Sequence, residues 1–207
     1  MNKYNREQYT AFELVRRHFR DIEGLNRTGR ISSSLEDYLQ FRGSVDRFLQ
    51  VHFSAICHQR CYSSRLSACC SREGIITFFA DVVVNTLLSP PDEIEEILEE
   101  LQSPRSEVKC VYLGENGCLW RIKPIVCTMF LCDRAQDEVF GENPELRQQW
   151  ENFQALKKRF TWPDRAVLFN DLERAFIKAG HSSSLMYLHN SPGLLRVKHN
   201  AKLKGDF

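Results

Sequence analysis

Eight cysteines in 207 residues constrain this chain more than any other feature: Cys57, Cys61, Cys69, Cys70, Cys110, Cys118, Cys127 and Cys132. They form two groups of four with 39 residues between them. The amino terminus, MNKYNREQYTAFELVRRHFR, mixes both charge signs with aromatics and has neither an apolar h-region nor a small-residue cleavage site. It reads as mature cytoplasmic protein. In a reducing compartment, metal ligation or redox chemistry explains so many thiols more simply than a disulfide framework does.

Charge adds little. Lys and Arg number 28 against 27 Asp and Glu, a formal net of +1, so there is no strong nucleic-acid signal and no global attraction to an acidic membrane. The longest nearly continuous apolar stretch, Ile75 to Val84, is ten residues and contains Asp81. A bilayer span needs about 20, so no membrane helix is expected.

Periodicity supplies the frame. Phe12, Val15, Phe19 and Ile22 recur at helical spacing and predict a first amphipathic helix. Ser33 and Glu36 resemble a capping box, and the stripe Tyr38, Val45, Phe48, Leu49, His52, Ile56 predicts a second helix running toward Cys57. The run GIITFFADVVVN, Gly74 to Asn85, fits a buried strand or a buried helix equally. Pro90 and Pro91 open a helix with Ile94, Ile97, Leu98 and Leu101 inward; Asp92, Glu93, Glu95, Glu96, Glu99 and Glu100 form its wet side. Asn143 and Pro144 open another, with Leu146, Trp150, Phe153 and Phe160 on one face, and Pro163 opens a last one that Gly180 closes. Arg196, Lys198, Lys202 and Lys204 make a basic, solvated tail. The expected fold is mainly α, a small cysteine-rich metal-binding centre with little β-structure flanked by amphipathic helices. Residues 1–56 form an N-terminal helical segment, 57–132 the cysteine region and 133–207 a C-terminal helical segment, all within one compact domain.

Within the cysteine region, Cys57 and Cys61 stand four apart, so a helix persisting through both would aim their sulfurs from one face at one ion. Cys69 and Cys70 are neighbours, which diverge in a helix or strand; they share one ion only across a turn, or they serve different sites. In CVYLGENGCLWRIKPIVCTMFLC, residues 110–132, the stretch from Gly114 to Gly117 predicts a tight hairpin that brings Cys110 to Cys118. Pro124 then bends the chain three residues before Cys127. Lys123 beside it is either a surface lysine or a cation that moderates thiolate charge.

The pattern resembles the YkgJ-type cysteine cluster family, described as a zinc- or iron-chelating domain of eight cysteines. The resemblance lies in the pair Cys57 and Cys61, the doublet Cys69 and Cys70, and the tail CVYLGENGC, KPIVCT, FLC. It covers residues 57–132 and implies a ligand role for all eight: Cys57, Cys61, Cys69, Cys70, Cys110, Cys118, Cys127 and Cys132. Seven residues separate Cys61 from Cys69 where the family is compact, and Lys123 and Thr128 stand where the family tail carries arginines.

Eight thiolates suit two tetrahedral zinc ions, one four-iron cluster with spare cysteines, or two iron-sulfur clusters. The chain has no CxxC pair and no ferredoxin run, so zinc and iron-sulfur cluster both stay open. His52 and His58 read as bystanders to the thiols, and His181 and His189 as loop or surface residues. There is no GxSxG elbow, no phosphate loop and no GxGxxG, and no catalytic residue is assigned. The expectation is a protein that chelates an iron-sulfur cluster or zinc, with a redox or modification role and an unidentified protein or redox partner. The alternative is a non-enzymatic interaction or regulatory module held together by structural zinc.

Overall fold

A burial conflict inside GIITFFADVVVN organises the molecule: its apolar residues point in every direction, so the segment must be covered on all sides. The computed structural model describes residues 1–21, 33–59, 76–104, 110–114, 117–141, 143–161 and 168–186. In it, Phe79–Leu88 is helical and its first eight residues are all buried. The β-branched residues Val82, Val83 and Val84 favour strands in isolation, and full burial outweighs that local preference.

Among the described residues there are nine helices and one short hairpin. The helices are α1 (Lys3–Asp21), α2 (Ser33–His52), α3 (Ser54–Cys57), α4 (Phe79–Leu88), α5 (Pro91–Gln102), α6 (Ile125–Thr128), α7 (Asp133–Phe140), α8 (Pro144–Thr161) and α9 (Leu168–Lys178). Strands β1 (Leu113–Gly114) and β2 (Gly117–Cys118) pair antiparallel, with Leu113 opposite Cys118. The chain is mainly α, as expected, and no described helix is long and apolar enough to cross a membrane.

Helix α4 sits between two apolar clusters. Phe78, Ala80 and Val84 face Tyr38, Phe48, Phe53, Ile125 and Phe169, while Phe79, Val82 and Val83 face Phe12, Val15, Ile97, Trp120 and Phe176. Each fully buried side chain of this size contributes roughly 1.5–3 kcal/mol. Of the buried polar residues on α4, Asp81 and Asn85 lie one turn apart and would be costly without partners. Asp81 Oδ2 accepts the Phe78 amide at 3.0 Å, closing the first turn of α4, and its Oδ1 accepts the Ile125 amide at 3.1 Å. Asn85 Oδ1 accepts the Ile122 amide at 2.9 Å.

Most of the expected helices are present. Phe12 and Val15 are buried in α1, whereas Ile22 lies outside the described residues. Pro91 is the first residue of α5, and Asn143 Oδ1 accepts the Leu146 amide at 3.2 Å to cap α8. Gly180, with φ of 83°, ends α9 while the Gly180 and His181 amides bond to the Ile177 and Phe176 carbonyls. Pro163 and the basic tail fall outside the described residues.

Two expectations need correction. The second helix does not run straight to Cys57: it breaks at Phe53, whose ring is buried against Phe48 and Phe140, and resumes as α3. Glu100 is buried rather than wet, flanking the inward-facing Ile97 and Leu101 on α5, while Glu96 one turn earlier stays exposed. His181 lies in the loop after α9, as expected, where it is half-buried with Nε2 3.0 Å from Nδ1 of His18 at the end of α1. Helix α7 carries too few apolar residues to stand out in the sequence.

Candidate metal centre

The hairpin forms where expected. Gly117 has φ of 117°, a conformation that side chains rarely adopt, and the Leu119 amide bonds to the Tyr112 carbonyl at 2.9 Å. Trp120 anchors it, buried edge-on against Phe12 at 5.0 Å and Tyr112 at 5.3 Å between ring centres. Arg121, next in sequence, makes a two-pronged ion pair with Glu93 of α5 at 2.9 and 2.5 Å.

This packing fixes the second cysteine group. Cys110 and Cys118 are half-buried against the α1 and α5 side of the core, and both lie within electrostatic reach of the Tyr112 hydroxyl. Cys110 and Cys127 likewise act on the buried hydroxyl of Tyr4. Burial is the main cause that raises both tyrosines above the usual phenol range; for Tyr112 the neighbouring Tyr4 hydroxyl comes next, and the cysteine sulfurs add a smaller part. Tyr4 Oη has no well-formed hydrogen bond, whereas Tyr112 Oη donates to Gln8 at 3.0 Å.

Cys127 also faces the other way. It sits in α6, and the six residues before it are hung from α4: Asn85 holds the Ile122 amide and Asp81 the Ile125 amide. An open cavity of about 400 Å³ is lined by Cys127 and by Cys57 at the end of α3, together with Arg42, Asp46, Arg121 and Lys123. One thiol from each sequence group thus borders a single cavity, a pairing that grouping by spacing did not anticipate. Cys132 precedes α7 and packs against the other core cluster, and it is not on that wall.

Arg42 escaped the sequence reading. It occupies the α2 stripe one turn after Tyr38 and three residues before Val45, so a charged residue where the pattern asks for an apolar one was the available signal. It is buried, donating to Tyr38 Oη at 3.1 Å and to Thr128 Oγ1 at 2.7 Å. Asp81, wholly buried, has its carboxyl pushed up to about 6 by burial; the Phe78 and Ile125 amides and the Arg42 charge oppose that rise.

The donor chemistry suits a thiophilic metal, and none of the five described cysteines is disulfide-bonded to another. Cations beside a thiol favour the thiolate that binds metal. Among the described residues, however, no three His, Cys, Asp or Glu side chains stand close enough to hold an ion. Cys61, Cys69 and Cys70 lie outside the described residues, so the expectation that Cys57 and Cys61 share a helical face lies there too. Comparison of the chain with family models, with curated proteins and with solved structures finds no match.

Proposed function

We propose that this chain is a metal-binding protein that chelates an iron-sulfur cluster or zinc through its cysteines. The observation that carries the reading is the eight-cysteine pattern itself, whose tail resembles that of the YkgJ-type family. It is supported by the cavity where Cys57 and Cys127, 70 residues apart in sequence, border the same space beside Arg42 and Lys123. A pair of thiols does not complete a four-coordinate site. The further donors such a site needs would come from the remaining cysteines of the pattern.

In this reading the helices keep the approach to the metal rigid. Orientation of ligands by surrounding hydrogen bonds is worth about 10–100-fold in metal affinity, and the Asp81 and Asn85 contacts act on the backbone leading to Cys127. A cluster open to a cavity serves electron transfer or a modification reaction; a closed zinc site serves structure. The test is metal, sulfide and thiol analysis of protein purified without oxygen, with Cys57→Ser and Cys127→Ser alongside. Bound iron with matching sulfide assigns a cluster, and zinc alone assigns the structural alternative. Protein that binds neither overturns the proposal.

A further inference from the structure

We propose that the cavity bordered by Cys57 and Cys127 is also a binding site for a small oxyanion, a carboxylate or a phosphate, seated on the Arg42 guanidinium with Lys123 as its second cation. The inference stands on Arg42 and Lys123 and holds whether or not the cysteines carry metal.

Arg42 is only 4% exposed, yet among the described residues no carboxylate lies within ion-pairing distance of it. Its two terminal nitrogens donate to neutral hydroxyls, those of Tyr38 and Thr128, and its Nε is buried without an acceptor. A buried guanidinium is permanently charged, and it is normally balanced by an acid or a bound anion. Asp46, one turn along α2 and on the same cavity wall, is exposed and makes no ion pair with it. Asp81 on α4 feels the Arg42 charge, but its two oxygens are committed to the Phe78 and Ile125 amides. Among the described residues Arg42 therefore feels the Asp81 charge at a distance but makes no direct ion pair.

The rest of the cavity is consistent with an anion. Arg121 is already matched by Glu93, so it neither adds nor removes net charge. Lys123 is exposed on the cavity wall with no acid within ion-pair distance among the described residues. Among the described lining residues, Arg42 and Lys123 against Asp46 leave a net positive charge. At about 400 Å³ the space matches the lower range of small-molecule sites, roughly 300–1,000 Å³. A planar guanidinium recognises both carboxylate and phosphate through paired N–H donors. Such a ligand would rest against the same wall as Cys57 and Cys127, which is where a substrate of a thiolate-bound metal would have to be.

The test is titration of the full-length protein with inorganic phosphate and, separately, with acetate and succinate, read by calorimetry and by thermal shift against sodium chloride at matched ionic strength. Metal content is measured on the same samples, so loss of metal and loss of anion binding are told apart. Saturable binding of phosphate assigns a phosphorylated ligand, of the carboxylates a carboxylic acid, and of both a site selective for oxyanions. Lys123→Ala should weaken binding about two- to fivefold and Lys123→Glu should abolish it, both at an exposed position that leaves the fold intact. Arg42→Lys, which keeps the charge and loses the fork, should weaken it more than about tenfold. A response that sodium chloride reproduces, or that Lys123→Glu leaves unchanged, overturns the proposal and leaves Arg42 a strut between Tyr38 and Thr128.

Discussion

Asp81 Oδ1 accepts the backbone amide of Ile125 at 3.1 Å, two residues ahead of Cys127. One turn further along α4, Asn85 holds the amide of Ile122. A single buried helical turn therefore positions the backbone that carries the cysteine common to the cavity and the hairpin side. Replacing Asn85 with Leu removes the acceptor and leaves the Ile122 amide unpaired. The expected cost is about 1–3 kcal/mol, measured by urea unfolding, with weaker metal retention on challenge with a chelator.

Asp81 also makes stability depend on pH. Burial pushes its folded carboxyl up to about 6 from the ordinary 3.8, so between those values the folded chain holds a proton that the unfolded chain has released. The resulting contribution is complete below about pH 4, declines as pH rises and is lost above about pH 6, a difference of roughly 3 kcal/mol. Asp81→Asn should flatten unfolding free energy against pH in this window. The Asn carboxamide keeps one acceptor for Ile125 and turns a donor toward Phe78, so part of the gain at pH 7 is offset. An unchanged slope would show that Asp81 is not the group responsible.

Trp120→Ala empties the space between Phe12 and Tyr112. Removing a buried aromatic of this size costs about 3–5 kcal/mol. Because Trp120 follows Cys118 by two residues, the same change should loosen the hairpin and raise the reactivity of Cys110 and Cys118 toward a thiol reagent in folded protein. Cys132 serves as the internal reference, since it packs on the other cluster.

Two glycines separate conformational strain from steric room. Around both Gly117 and Gly43 a Cβ would meet nothing within 4 Å, but only Gly117 has positive φ. Gly117→Ala should destabilise by about 1–3 kcal/mol. Gly43→Ala, in the exposed middle of α2, should stabilise by about 1 kcal/mol. Thermal unfolding of the two variants reads the opposite signs directly.

The helices with a clean apolar face were legible because periodicity and caps agree: Ile94, Ile97, Leu98 and Leu101 in α5, and the Asn143 cap of α8, required no tertiary information. The hairpin was legible from Gly114 to Gly117. The run from Gly74 to Asn85 was not, since a nearly continuous apolar run fits a strand and a helix alike and only enclosure between two core clusters decides for α4. Arg42 was hidden because its role depends on Thr128, 86 residues away. That Cys57 and Cys127 border one cavity was hidden for the same reason: spacing groups neighbours in sequence, while hydrogen bonds from α4 and from Arg42 of α2 place α6. The part of the thiol pattern on Cys61, Cys69 and Cys70 was read from sequence alone.

The most direct measurement is elemental analysis for iron, zinc and acid-labile sulfide on protein purified without oxygen, paired with a visible spectrum and repeated on Cys127→Ser. The account predicts stoichiometric metal in the parent chain, with iron and sulfide in matching amounts if a cluster is present, and a clear loss of metal in the variant. A parent chain free of metal, with all eight thiols titrating after denaturation, would contradict it.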